Sequence, residues 1–211
     1  MNETDSAQTL PSPQAPSSSG ELRLARDGAG ALLQRDYWAA LQDCRLTPAD
    51  LVLALRQRFC EFAPPELVVF ERNEGCNQPL ALGEELSIAI QMAGKCGVRV
   101  TSVEDHSFTL ATRPGHPEAG RITFGSYRHE SGNVVFHIRS RSRSGDPQRA
   151  AGFFMIGEAM QTDTWVEFVR TVANTFGTGV VGEVHAETIE VELHADDDDS
   201  TRPTFIARGE D

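Results

Sequence analysis

Residues 107–143 read SFTLATRPGHPEAGRITFGSYRHESGNVVFHIRSRSR. Within this stretch Ile122 to Arg128 and Val134 to Arg143 alternate apolar with polar or small side chains, the period of strands with one buried and one wet face. Glu130-Ser131-Gly132-Asn133 between them is a short turn, so the two runs are expected to pair as an antiparallel hairpin. The run Arg113-Pro114-Gly115-His116-Pro117-Glu118-Ala119-Gly120-Arg121 ahead of them holds two prolines and two glycines and reads as an irregular loop. On the last strand Val134, Phe136, Ile138, Ser140 and Ser142 share one face, while Val135, His137, Arg139, Arg141 and Arg143 share the other. The whole block therefore reads as part of a curved antiparallel sheet.

The same alternation recurs upstream. Leu86, Ile88, Ile90 and Met92 form one set, Val98 and Val100 a second, Phe108 and Leu110 a third. Ala31 to Gln42, with Tyr37 and Trp38, suits a first strand, a short helix being the alternative. Thr47-Pro48-Ala49-Asp50 is a helix start, with a capping hydroxyl before a proline whose missing N–H costs nothing there. Leu51, Leu55, Phe59 and Phe62 follow as one apolar stripe, ended by Pro64-Pro65, and Leu67 to Glu71 reads as a strand. Downstream, Asp146-Pro147 repeats the start signal for a long helix reaching Gly177, a residue suited to a left-handed closing position. Trp165, Phe168, Val169, Val172 and Phe176 give its second half an apolar stripe. Its first half carries the small residues Ala150, Ala151, Gly152, Gly157 and Ala159, which either admit a close neighbour or leave space. Ile189, Val191 and Leu193 then alternate with glutamates as an edge strand.

Composition sets the limits. A chain of 211 residues is long enough for one domain with its own core plus flexible ends. Residues 1–20 lack the apolar content to offset their ordering entropy and are expected as a disordered tail, residues 21–194 as one domain, and residues 195–211 as an acidic flexible tail. Glu3 and Asp5 sit where a secretory leader would be basic, and no apolar run approaches the length of a membrane helix, so a soluble, cytoplasmic protein is expected without membrane insertion. Cys44, Cys60, Cys76 and Cys96 show no close pairing and are expected as reduced thiols, not zinc ligands. Of the net charge of −12, a balance of −8 lies from Glu183 onward and −4 in residues 1–182, while Lys95 to Ala150 carries +4. Overall acidity argues against nucleic acid as a partner, since neutralised phosphates supply most of that affinity.

The element order of strand, helix, strand, antiparallel meander and long helix is that of the helix-grip fold. A motif accompanies it: Phe108-x-x-Ala111-Thr112-x-x-Gly115-His116-Pro117-Glu118-x-Gly120, then Phe136-x-Ile138-x-Ser140-x-Ser142-Arg143, then Gln161 in the last helix. From about Pro79 to Ala173 the chain resembles the uncharacterised protein family 0548, a bacterial and plant domain of unknown function similar to the START and birch-pollen-allergen superfamily. The resemblance implies an α+β fold, a helix-grip-like curved antiparallel sheet wrapped around a long C-terminal helix. Relatives in that superfamily bind lipids, sterols, hormones or polyketides, and some are cyclases, hydrolases or oxygenase components. The iron-centre motif of the oxygenase branch is not found in this sequence.

The candidate residues each admit two readings. His116 and Glu118 are the catalytic candidates, because an imidazole beside a carboxylate can move protons, but the same pair can brace a turn. His137 and Arg139, with Arg141, Arg143, Arg128 and His129, can hold a carboxylate or phosphate if their face lines a cavity; alternation against Phe136 and Ile138 favours an outward face instead. Gln161 is the preferred polar contact for a ligand, as a buried amide needs partners, and Trp165 can wall a pocket or simply pack. His116, Glu118, His129 and His137 lack metal-ligand spacing, so no metal and no cofactor is expected. Gly177-Thr178-Gly179-Val180-Val181-Gly182 follows a helix and so fails as a phosphate loop. The leading expectation is a cavity that takes a lipid-like or aromatic small molecule without catalysis. The alternatives are a cyclase- or hydrolase-type enzyme using His116 and Glu118, and a non-catalytic interaction module whose acidic end docks on a basic protein partner.

Overall fold

Strand β1 (Ala29–Leu41) alternates as its sequence demands: Leu33, Tyr37, Ala39 and Leu41 are buried on one face, while Trp38 stands on the other. The computed structural model describes residues 21–72, 78–91, 93–145 and 154–203. After β1 comes helix α1 (Pro48–Gln57), where Thr47 Oγ1 accepts the Asp50 amide at 3.1 Å and proline opens the first turn as expected. Leu51 and Leu55 of α1 and Phe59 and Phe62 just beyond it are fully buried. Six strands then follow: β2 (Val68–Arg72), β3 (Glu85–Ile90), β4 (Gly94–Val103), β5 (Ser107–Thr112), β6 (Glu118–Arg128) and β7 (Val134–Ser144). Helix α2 (Phe154–Phe176) leads to the last strand, β8 (Val180–Val191).

All eight strands join one antiparallel sheet in the order β2-β3-β4-β5-β6-β7-β1-β8. The meander runs outward from β7 to β2, and β1 closes it on the other side by pairing with β7. Register shifts between Val100 and Ser102, in β1 opposite β7, and in β1 opposite β8 add the local bends that let so wide a sheet curl. The sheet wraps α2 in the helix-grip arrangement. Under the second half of α2 the core is dense: Phe168 lies 5.6 Å from Phe59, 5.5 Å from Phe124 and 5.8 Å from Phe62, and Phe108 stacks on Phe124.

Four expectations change. The loop before β6 is shorter than the sequence suggested, because Glu118 already pairs with Ser144; what remains is a turn in which the His116 amide donates to Arg113 O at 3.1 Å, with Pro114 and a left-handed Gly115 at its centre. Gly177 is not left-handed; it is needed because a Cβ would overlap the Gln42 carbonyl oxygen, and Gly179, at φ 131°, takes the left-handed role. Strand β8 begins at Val180, nine residues before its obvious alternation, and pairs along β1. The segment expected to begin a flexible tail at 195 instead opens with a short 3-10 turn, Ala195–Asp198, whose Asp197 is buried. Residues 1–20 and 204–211, Cys76, Met92, and the helix start at Asp146-Pro147 with Gly152 lie outside the described residues.

Candidate functional site

The two sheet faces divide the chemistry. On β1 and β7 the inward set is Leu33, Arg35, Tyr37, Ile138, Ser140 and Ser142, and the outward set is Gln34, Asp36, Trp38, His137, Arg139 and Arg141, since Asp36 opposes Arg139 and Trp38 opposes His137. The curl leaves a cavity of about 380 Å³ between the inward face and the first half of α2. Its apolar walls come from both flanks of the sheet, with Leu33 from β1 and Phe70, Ile88 and Ile90 from β2 and β3, and from Met160 and Trp165 on the helix. Trp165 also packs edge-on to Phe124 at 5.6 Å, so it is core and cavity wall at once.

At one end the lining is polar. Glu118, the first residue of β6, receives Arg35 Nη1 at 3.2 Å on one oxygen and Gln161 Nε2 at 3.1 Å on the other, and Arg35 also donates to Ser142 Oγ at 3.2 Å. This small network ties β1, β6, β7 and α2 together at the cavity. The inward charge at Arg35 was the readable signal: it interrupts an apolar register between Leu33 and Tyr37, and only a partner far along the chain can balance it. Arg113 and Arg121, the arginines nearest Glu118 along the chain, are engaged elsewhere. Arg113 binds Glu85 at 2.7 Å, and Arg121 turns to the C-terminal segment.

His116 lines the same cavity, yet its ring does not meet the Glu118 carboxylate. Its Nδ1 accepts the backbone amide of Glu118 at 3.0 Å, which holds the turn and, in the neutral ring, leaves the proton on Nε2. Burial pushes its pKa below the ordinary value, against the opposing pull of Glu118, so the ring is neutral at pH 7. The turn-bracing role is thus the one the geometry supports.

His137 and Arg139 are not at the cavity, which corrects their place among the expected ligand contacts. They clamp Asp36 on the outward face, through His137 Nε2 at 2.6 Å and Arg139 Nε at 2.5 Å, and Trp38 stacks on His185 beside them. Next to this cluster Arg141 Nε lies 2.9 Å from the buried Asp197, and Arg121 donates to the carbonyls of Asp196, Asp199 and Arg202. The acidic run therefore docks on the protein's own arginines. Among the described residues no group of three or more His, Cys, Asp or Glu side chains gathers as a metal site. Among the described residues Cys44, Cys60 and Cys96 are in no disulfide, and burial raises the Cys96 thiol to about 11, far from a reactive thiolate.

The family model described as "Domain of unknown function (DUF1990)" matches residues 64–184, more than half the chain. The chain belongs to the DUF1990 family. That span runs from just ahead of β2 through the start of β8, so the DUF1990 match contains the strands of the meander, the polar end at Glu118 and Gln161, and α2; Arg35 lies ahead of it. No curated protein matches the sequence. Solved structures similar to this DUF1990 member include a ginseng major latex-like protein from Panax ginseng, at 11% identity over 70% of this chain and 99% of that one, with a TM-score of 0.46. A START-superfamily protein from Mycobacterium smegmatis has 8% identity over 70% and 97%, TM-score 0.46. A protein from Thermobifida fusca has 12% identity over 70% and 97%, TM-score 0.47. Among the described residues no helix is long and apolar enough to cross a membrane.

Proposed function

We propose that this DUF1990 domain binds a hydrophobic or amphipathic small molecule between its sheet and α2, with Gln161 and Trp165 among the contacts. The observation that carries the reading is the cavity itself. A volume of about 380 Å³ falls within the roughly 300–1,000 Å³ of small-molecule sites, and apolar walls with a few convergent polar groups are what such sites present. A close-packed interior does not leave this much room without function or cost. Acid–base catalysis by His116 and Glu118 has no comparable support, because the carboxylate is engaged by Arg35 and Gln161 and the ring nitrogen by a backbone amide. Docking of the acidic run on a basic partner competes with its docking in cis on Arg121 and Arg141.

The test is native mass spectrometry and a thermal-shift screen on the full chain purified without detergent. Binding at a free concentration of 100 Kd adds about 2.7 kcal/mol of stability, a readily visible rise in Tm. A screen of neutral and acidic amphiphiles that finds no bound species, together with a dry, filled interior, overturns the reading.

A further inference from the structure

The polar end of the cavity also constrains what the ligand's head must be. We infer that the ligand is an apolar molecule bearing an uncharged hydrogen-bond acceptor, of the ketone or ester class, held by the indole N–H of Trp165; the inference rests on the cavity being a binding site. Trp165 Nε1 is fully buried and finds no partner among the described residues, although Trp165 lines the cavity. A buried donor left unmade costs about 1–3 kcal/mol, so an acceptor delivered there by a ligand recovers that loss. Arg35 Nε is likewise buried without a partner among the described residues. The buried side-chain nitrogens of the cavity lining that lack a partner among the described residues, on Trp165, Arg35 and Arg143, are thus all donors.

Charge decides between acceptors. Arg35, with its side chain 5% exposed, is already matched one-to-one by Glu118, and Gln161 adds no charge. A carboxylate entering beside Glu118 would be a second anion against one buried cation, and an unbalanced buried charge is costly. Arg143 also belongs to the cavity lining, but register sets its Cβ on the outward face, opposite Ala119 and on the other side of the sheet from Arg35 and Ser142. A ketone oxygen meets the donors without disturbing the pair.

Three probes of one chain length separate the possibilities: dodecan-2-one, dodecanoate and dodecane, each titrated into the full chain at pH 7. The chain has two tryptophans, so Trp38→Phe assigns the Trp165 indole N–H resonance in a proton–nitrogen correlation spectrum. The expected result is that the ketone moves this resonance downfield and binds about tenfold or more tighter than dodecanoate. Trp165→Phe should then lose about tenfold in ketone affinity, about 1.4 kcal/mol, while dodecane binding stays within about threefold. If all three bind alike and the indole signal stays put, the cavity is a site but the head-group assignment is wrong. Tighter dodecanoate binding overturns it as well. If no probe binds, the binding-site reading falls and this inference with it.

Discussion

Asp36 gathers three hydrogen bonds on the outward face, with Gln34, His137 and Arg139 all directed at its two oxygens. Burial, the largest single influence, works against its charge, but the bonds and charges of His137 and Arg139 together outweigh it and hold the pKa below the usual value. For a carboxylate depressed in this way the stabilisation is fully present above about pH 4, where the unfolded side chain is ionised, and is lost as pH falls toward the folded value. Asp36→Asn is expected to cost about 3 kcal/mol in urea unfolding at pH 7, because it removes the carboxylate charge that balances Arg139 and that His137 is bonded to, in a site with a side chain 5% exposed. That cost should shrink below pH 4. The opposite residue-scale case is His116, a base whose folded pKa is lowered. The unfolded chain binds its proton near pH 6.5 while the folded chain does not, so stability falls as pH drops below that value. His116→Ala should cost about 1–3 kcal/mol by orphaning the Glu118 amide, and His116→Asn, which keeps an acceptor on a short side chain, should recover part of it.

Elements were more legible than their ends. Local signals set α1, because Thr47, Pro48 and Asp50 are adjacent in sequence and act within one turn. Alternation set β3 to β7 for the same reason, since period two is a local property. What escaped were features fixed at long range. Strand β8 starts at Val180 because β1 offers its free side there, with Thr178 N donating to Gln42 O at 2.9 Å and Gln42 N to Gly179 O at 2.8 Å. Gly177 follows from that close approach and not from a helix-ending dihedral. Gly177→Ala is accordingly expected to destabilise by about 2 kcal/mol or more, the scale of an overpacking clash, and to weaken the β1–β8 pairing first. Hydrogen exchange that shows β8 amides unchanged in this variant would contradict the account. Ala195–Asp198 belongs to the same class: a run of aspartates looks solvated until Arg121 and Arg141 are known to face it. Asp197→Ala should cost about 3 kcal/mol, and added salt should relieve little of it because the carboxylate is 2% exposed.

At the scale of the whole molecule, the two halves of α2 do different work. The second half seals the sheet with Phe168, Val169, Val172 and Ala173, all fully buried, and Phe168 packs on Phe124 of β6 and Phe136 of β7. The first half stands over the space, with Gln161 and Trp165 presented to it. The apolar stripe of the second half was legible in the sequence; of the small residues read in the first half, Ala150, Ala151 and Gly152 lie outside the described residues, while Gln161 and Trp165, read as ligand contacts, line the cavity. Alternation favoured the outward face for His137 and Arg139 without deciding it, since that face is as regular as the one with Phe136 and Ile138. Arg35 was missed because its partner Glu118 lies 83 residues away. The central claim is that the space between sheet and helix is a binding site. Its most direct test is a crystal structure of the full chain purified without detergent and equilibrated with excess dodecan-2-one. The expected density is one extended chain between Phe70, Ile88 and Trp165, its ketone oxygen within hydrogen-bond reach of the Trp165 indole N–H. A collapsed or water-filled interior, with density only on the surface, would contradict it.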